Sequence, residues 1–260
     1  MFGINRLSIG LQSTNNKLLK QIGRIHTFEE FLNTYNMAKE VGFENINVDL
    51  MIGLPNQTIK DIKQAIEEIK ILDPNHVSVY SLIIEEGTKI EELLEQGKIR
   101  LPSEELERQM YWYAKNSLEL NGYNHYEISN FSKKGKESKH NLNCWEQKEY
   151  IGIGERASSY LKDTRYSNYS FYSNKKYDKK IEEVQNIENK KKEYMLLGLR
   201  KIEGVKISKF KEKYVDNPIF VFQEELERLI YEELLQIDGD YIKLTNKGID
   251  FANLVWEEFI

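Results

Sequence analysis

The chain has 260 residues, 40% hydrophobic and 30% charged, with a mean hydropathy of −0.61, enough for one large domain or a domain with a smaller appendage. Its net charge of −5 gives non-specific nucleic-acid binding no electrostatic support. No apolar run reaches the roughly 20 residues that span a bilayer, and the N-terminus lacks a charged stretch followed by an apolar one, so the reading is a cytoplasmic protein with neither transmembrane segment nor signal peptide.

The first third alternates between two periods. Arg6 to Gln12, Asn45 to Gly53 and His76 to Ile84 are rich in β-branched and apolar residues, which predicts strands buried on both faces. Between the first two, a helix starts at Thr27, with Glu30 completing a capping box, and stops near Gly42. A second starts at Thr58, repeats its apolar residues at Ile62, Ile66 and Ile69, and stops before Pro74. Strand, helix, strand, helix, strand makes two right-handed βαβ units and a parallel sheet. Ligands of such sheets sit at the carboxyl ends of the strands, where Gln12 and Asp49 fall. Three parallel strands do not close a barrel, so an edge is left to be covered.

Ser103 to Asn121 reads as a helix, and the aromatic, polar stretch from Gly122 to Tyr160 as loops and short strands near a pocket. Within it stands "HNLNCW", His140 to Trp145, with the only cysteine of the chain, Cys144. Four residues apart, His140 and Cys144 share one face of a helix, either as ligands or as packed neighbours. One cysteine excludes an intrachain disulfide and cannot supply the thiolates of a 4Fe-4S cluster. Residues 172–194 read as a charged linker, a solvated helix or a surface crossing. From 195 on, helix, helix, an Asp-Gly hairpin and a closing helix suggest a winged-helix-like module. Residues 197–260 hold 9 Lys and Arg against 13 Asp and Glu, so the module reads as packing rather than DNA-reading.

Four stretches carry a resemblance: "GINRLSIGLQSTNNKLLKQIGRIHT", "GFENINVDLMIGLPNQT", "HVSVYSLIIEEGT" and "YEISNFSKKGKESKHNLNCW". Together they resemble the radical S-adenosylmethionine relatives of oxygen-independent coproporphyrinogen III oxidase, most closely their haem-chaperone branch. The resemblance implies an α/β fold: the C-terminal half of a six-stranded (β/α) partial barrel, then a small winged-helix-like α+β domain. The expected division is 1–171 for barrel and haem-motif region, 172–194 for the linker and 195–260 for the last domain.

It also implies that the chain begins at the family's fourth strand, without the CxxxCxxC cluster loop. The first strand's edge would then be met by a separate N-terminal half or by self-association. By the same resemblance Gln12, Arg24, Asp49 and Ile83 line the wall for S-adenosylmethionine, and Arg24 suits the methionine carboxylate. His140, Asn141 and Trp145 match the branch's haem motif, with His140 the iron ligand and Trp145 a face for the macrocycle. Cys144 departs from that motif, which has tyrosine there, and Ser158 stands where relatives carry histidine. His26, His76 and His125 read as structural.

The implied function is haem binding and transfer to a haem-requiring acceptor protein. The family's 4Fe-4S cluster and S-adenosylmethionine belong to full-length members, and whether this chain is an enzyme is left open. The alternatives are coproporphyrinogen III dehydrogenase activity and an inactive fragment.

Overall fold

The computed structural model describes residues 3–170 and 177–260 and divides into two compact units, 1–137 and 138–260. The division expected after residue 171 thus falls earlier, just before the "HNLNCW" segment.

The first unit is built on β1 (Arg6–Gln12), β2 (Asn45–Ile52) and β3 (His76–Ser81), parallel and adjacent in that order. Beyond β3 lie β5 (Asn130–Ser132) and β4 (Asn124–Glu127), an antiparallel hairpin that widens the sheet to β1-β2-β3-β5-β4. The connections are α1 (Asn16–Gln21), α2 (Phe28–Glu40), α3 (Ile59–Leu72), α4 (Lys89–Glu95) and α5 (Glu104–Leu120). The expected capping box of α2 is present: the Glu30 N–H donates to Thr27 Oγ1 at 3.3 Å, and the Thr27 N–H to Glu30 Oε2 at 2.8 Å.

β2 and β3 are largely buried on both faces, as the sequence suggested, but the second face is mainly polar, with Asn47, His76 and Ser78 buried on it, and on β1 it leaves Ser8 exposed. Leu11, Ile46, Val48, Leu50, Val77 and Val79 point into the core with Ile62, Ile66 and Ile69 of α3 and Met110, Ala114 and Leu118 of α5. The opposite face carries mostly polar side chains. β3 also ends at Ser81: the Leu82 N–H still donates to the Ile52 carbonyl at 2.9 Å, and Ile83 and Ile84 lie beyond the strand.

The second unit opens with α6 (Lys139–Trp145), capped by Ser138, whose Oγ accepts from the Asn141 N–H at 3.4 Å. An antiparallel meander follows: β6 (Ser158–Leu161), β7 (Thr164–Ser170) and β8 (Tyr177–Val184). Residues 177–184 are therefore a strand, not a linker. The last part contains α7 (Ile187–Gly198), β9 (Val205–Lys206), α8 (Ile207–Tyr214), α9 (Pro218–Val221) and α10 (Gln223–Tyr231). β10 (Leu235–Asp238), β11 (Tyr241–Leu244), α11 (Asn246–Asp250) and α12 (Ala252–Glu257) complete it. β10-β11-β9 form the small sheet of a winged-helix-like module. One helix was expected across 195–214, but β9 separates α7 from α8. Gly204 makes this possible: at φ +83 its Cα lies so close to β11 that a Cβ would meet the Ile242 carbonyl oxygen at 2.2 Å. No helix among the described residues is long and apolar enough to cross a membrane.

Two isoleucines test the assignment of faces on α3. Ile66 is fully buried and Ile71 is 76% exposed. Ile66→Ala should cost about 2–5 kcal/mol of unfolding free energy by urea titration, and Ile71→Ala less than about 0.5 kcal/mol.

Candidate functional site

Of the residues singled out in the sequence, Asp49 lies on the polar face of the first unit's sheet and Gln12 at the edge of that face. Strand alternation places Ser8 and Gly10, Asn47 and Asp49, and His76, Ser78 and Tyr80 on it. Asn47 is its hub. Its amide nitrogen donates to Ser8 Oγ and Asp49 Oδ1, both at 2.6 Å, and its amide oxygen accepts from Ser78 Oγ at 3.2 Å. The same oxygen lies 2.6 Å from His76 Nδ1, while His76 Nε2 is 2.8 Å from the Tyr126 hydroxyl. This network assigns a neutral imidazole that donates from Nδ1 and accepts at Nε2. Burial, with the positive charge of Arg6 second, pushes the His76 pKa down to about 3.

At the carboxyl end of β1 the backbone register shifts and Gln12 takes a left-handed φ of +63. Its side chain folds over Gly10, where a Cβ would lie 2.6 Å from Gln12 Nε2, so a side chain there would push the Gln12 amide aside. Gln12 Oε1 accepts from the Tyr80 hydroxyl at 3.3 Å. The Tyr80 pKa is raised, first by burial and then by Asp49, while the Gln12 hydrogen bond and Arg24 oppose the rise. Tyr80 is thus where Gln12, Asp49 and Arg24 meet electrostatically. Sequence reasoning passed over it; the signal was its place in the run His76, Ser78, Tyr80 on one strand face.

Arg24 lies exposed in the turn after α1, held by its N–H donating to the Leu19 carbonyl at 2.9 Å. No described carboxylate lies within 4.0 Å of its guanidinium. Ile83 sits two residues beyond β3 with 79% of its surface exposed, so it is not a core residue.

In the second unit α6 puts His140 and Cys144 on one face, with His140 Nε2 3.9 Å from Cys144 Sγ. His140 is exposed; Cys144 is half-buried, and burial raises its thiol pKa. The His140 ring meets Tyr150 edge-on at 6.2 Å between centroids. After Tyr150 come Ile151 and Ile153, 67% and 93% exposed. Their loop is pinned by its backbone: the Gly152 N–H donates to Ser159 Oγ at 2.9 Å, and Asn168 Nδ2 donates to the carbonyls of Gly152 and Gly154 at 3.1 and 2.9 Å. Its polar groups turn inward and its apolar side chains turn out.

Trp145 is placed differently from expectation. The Arg200 guanidinium lies 4.5 Å from its ring centroid and 4.3 Å from that of Trp256, so one face of Trp145 is already covered. Among the described residues no three His, Cys, Asp or Glu side chains are grouped to hold a metal ion. A 4Fe-4S cluster does not fit a chain with one thiol. A porphyrin iron asks less, since the macrocycle fills four positions and the protein needs only an axial ligand of His140's kind.

Comparison with known proteins gives the same order of parts. Residues 2–69 match the Radical SAM superfamily model and residues 188–251 the HemN C-terminal domain model. The heme chaperone HemW of Lactococcus lactis subsp. lactis (strain IL1403) is 41% identical over 262 residues, covering 99% of this chain and 69% of that protein. The heme chaperone HemW of Bacillus subtilis (strain 168) is 37% identical over 265 residues, covering 99% and 70%. The structure of the coproporphyrinogen III oxidase HemN from Escherichia coli superposes with a TM-score of 0.78 at 21% identity, which is a likeness of fold. This chain spans 64% of that one.

The buried imidazole makes stability depend on pH. In the unfolded chain His76 takes up a proton near the ordinary imidazole value of 6.5, whereas in the folded chain it does so only at about 3. Its contribution is therefore complete above pH 6.5 and falls away as the pH drops toward 3. The Tm should decline across this window, and the His76 ring should stay neutral by NMR between about pH 7.5 and 5. A His76 ring titrating near its ordinary value would refute the network.

Proposed function

The chain belongs to the family of the heme chaperone HemW, and from that premise we propose that it binds haem through His140 and passes it to a haem-requiring acceptor protein. One observation carries this reading: an exposed imidazole stands beside Tyr150, and the chain that follows turns Ile151 and Ile153 outward. An axial ligand next to exposed apolar side chains is the pairing a porphyrin needs, iron on nitrogen and ring on hydrocarbon. Exposure also suits a carrier, which must release what it binds. Cys144 acts as a packed neighbour, because its raised pKa keeps it a neutral thiol. Trp145 anchors α6 through Arg200 rather than offering both faces to the macrocycle.

The polar face of the first unit fits the amino-acid end of S-adenosylmethionine. Arg24 would take the carboxylate, and Asp49, Gln12 and Tyr80 would meet the polar groups near it. In radical enzymes of this superfamily that cofactor, with a reduced cluster, supplies a 5′-deoxyadenosyl radical. This chain's residues do not hold the cluster, so the proposal includes no radical step, and decarboxylation of coproporphyrinogen is not assigned to it.

Titration of ferric haem into the protein should give a shifted Soret band. His140→Ala should weaken binding about tenfold or more, and Ile153→Asp should weaken it by burdening the apolar face with a charge. Cys144→Ser should leave the spectrum unchanged, as should Lys139→Ala on the same helix. Equal affinity of the wild type and His140→Ala would overturn the assignment.

A further inference from the structure

At the C-terminal end of α6, in the second unit, a cleft of about 460 Å³ is bounded by Lys148, Lys201, Lys206, Lys209 and Lys213. Glu146, Glu203 and Glu212 also line it, leaving a net positive wall on a chain whose overall charge is −5. Four of the nine cations of residues 197–260 gather here.

What distinguishes these lysines is the scarcity of counter-ions. Among the described residues only Lys148 of these five is ion-paired, to Glu146 at 2.6 Å. Lys213 donates to a neutral acceptor, Gln147 Oε1, at 2.9 Å, and its ammonium lies 4.9 Å from the Tyr194 ring centroid. Lys206 lies over Tyr241 at 5.7 Å. Among the described residues neither Lys201 nor Lys209 has a carboxylate within 4.0 Å. The glutamates are partly engaged elsewhere: Glu146 by Lys148, and Glu203 by the Tyr241 hydroxyl. Burial lowers the Lys201 pKa; Glu146 and then Glu203 pull it back up, and Lys209 and Lys148 add a smaller repulsion. The Tyr241 and Tyr194 rings hold the ends of Lys206 and Lys213 in place.

We propose that this cleft is a binding site for a small molecule carrying two or more phosphate or carboxylate groups. The volume admits a compact ligand of metabolite size and not a nucleic-acid duplex. Lysine ammoniums act as point charges and select charge rather than the planar geometry of either group, so the two chemistries are separated by experiment. The inference is independent of haem binding and uses none of the residues assigned to it.

The test is calorimetric titration of the purified full chain with pyrophosphate and, separately, with citrate. At least one should bind with an affinity that falls as salt is added, and the tighter of the two identifies the group recognised. Lys209→Gln, at an exposed position where folding is not at risk, should weaken binding about tenfold, the loss of one charge-assisted hydrogen bond. Lys201→Gln should do the same, its melting curve checking that the fold is kept. Lys17→Gln, exposed in the other unit, should bind as wild type. Absence of binding by both anions at millimolar concentration would overturn the proposal. So would equal loss in Lys17→Gln and Lys209→Gln, or a duplex oligonucleotide that binds more tightly than either anion.

Discussion

A sheet whose two faces differ in polarity has to satisfy the hydrogen bonds of its polar face without help from the core. In the first unit one side chain does most of this. Asn47 spends both its amide nitrogen and its amide oxygen on Ser8, Asp49, His76 and Ser78, so a single residue of β2 ties β1, β2 and β3 together. The tie fixes the strand register as firmly as the apolar face does, since a slip of one residue would strand every partner on the wrong side. It also holds in place the His76 ring, which burial keeps neutral, and fastens Asp49, which Ser8 holds as well. A rigid polar wall follows from the need to pair buried polar atoms.

The second unit solves a different problem. α6 has seven residues, too few to be stable by helix propensity alone. It is held at its start by the Ser138 cap and at its end by Trp145, which packs on Arg200 between two indoles. Gln147, next after the helix, donates to the Lys190 carbonyl at 3.0 Å and accepts from the Tyr214 hydroxyl at 2.6 Å, fastening the segment to α7 and α8. With both ends fastened, the middle of the helix can expose His140 in a fixed orientation. The residue in the motif that looked most like a porphyrin platform is the one that makes this possible, as an anchor.

Much of this was legible in the sequence, and the gaps have physical causes. β1, the Thr27 capping box and the three buried isoleucines of α3 stand where the patterns put them, because burial and capping leave marks at fixed spacings. β8 was unreadable as a strand since its sheet buries little: Ile181 and Val184 are 64% and 67% exposed, so charged residues fill the positions where alternation would show. The polar face of the first sheet was in the sequence as Asn47, Asp49 and as His76, Ser78, Tyr80, but the apolar residues between them dominate the period. Tyr80 was hidden for that reason. The covering of Trp145 could not be read at all, since Arg200 and Trp256 reach it from far along the chain and only folding brings them together.

Haem ligation by one identified histidine is the center of the account, and NMR of the ferric haem complex tests it most directly. With ¹⁵N-labelled histidine, the four imidazoles give separate signals, and a ring bound to paramagnetic iron is shifted far from the rest. The account predicts that His140 alone is shifted, while His26, His76 and His125 keep their positions. A large shift at any of those three, or at none of the four, would contradict it.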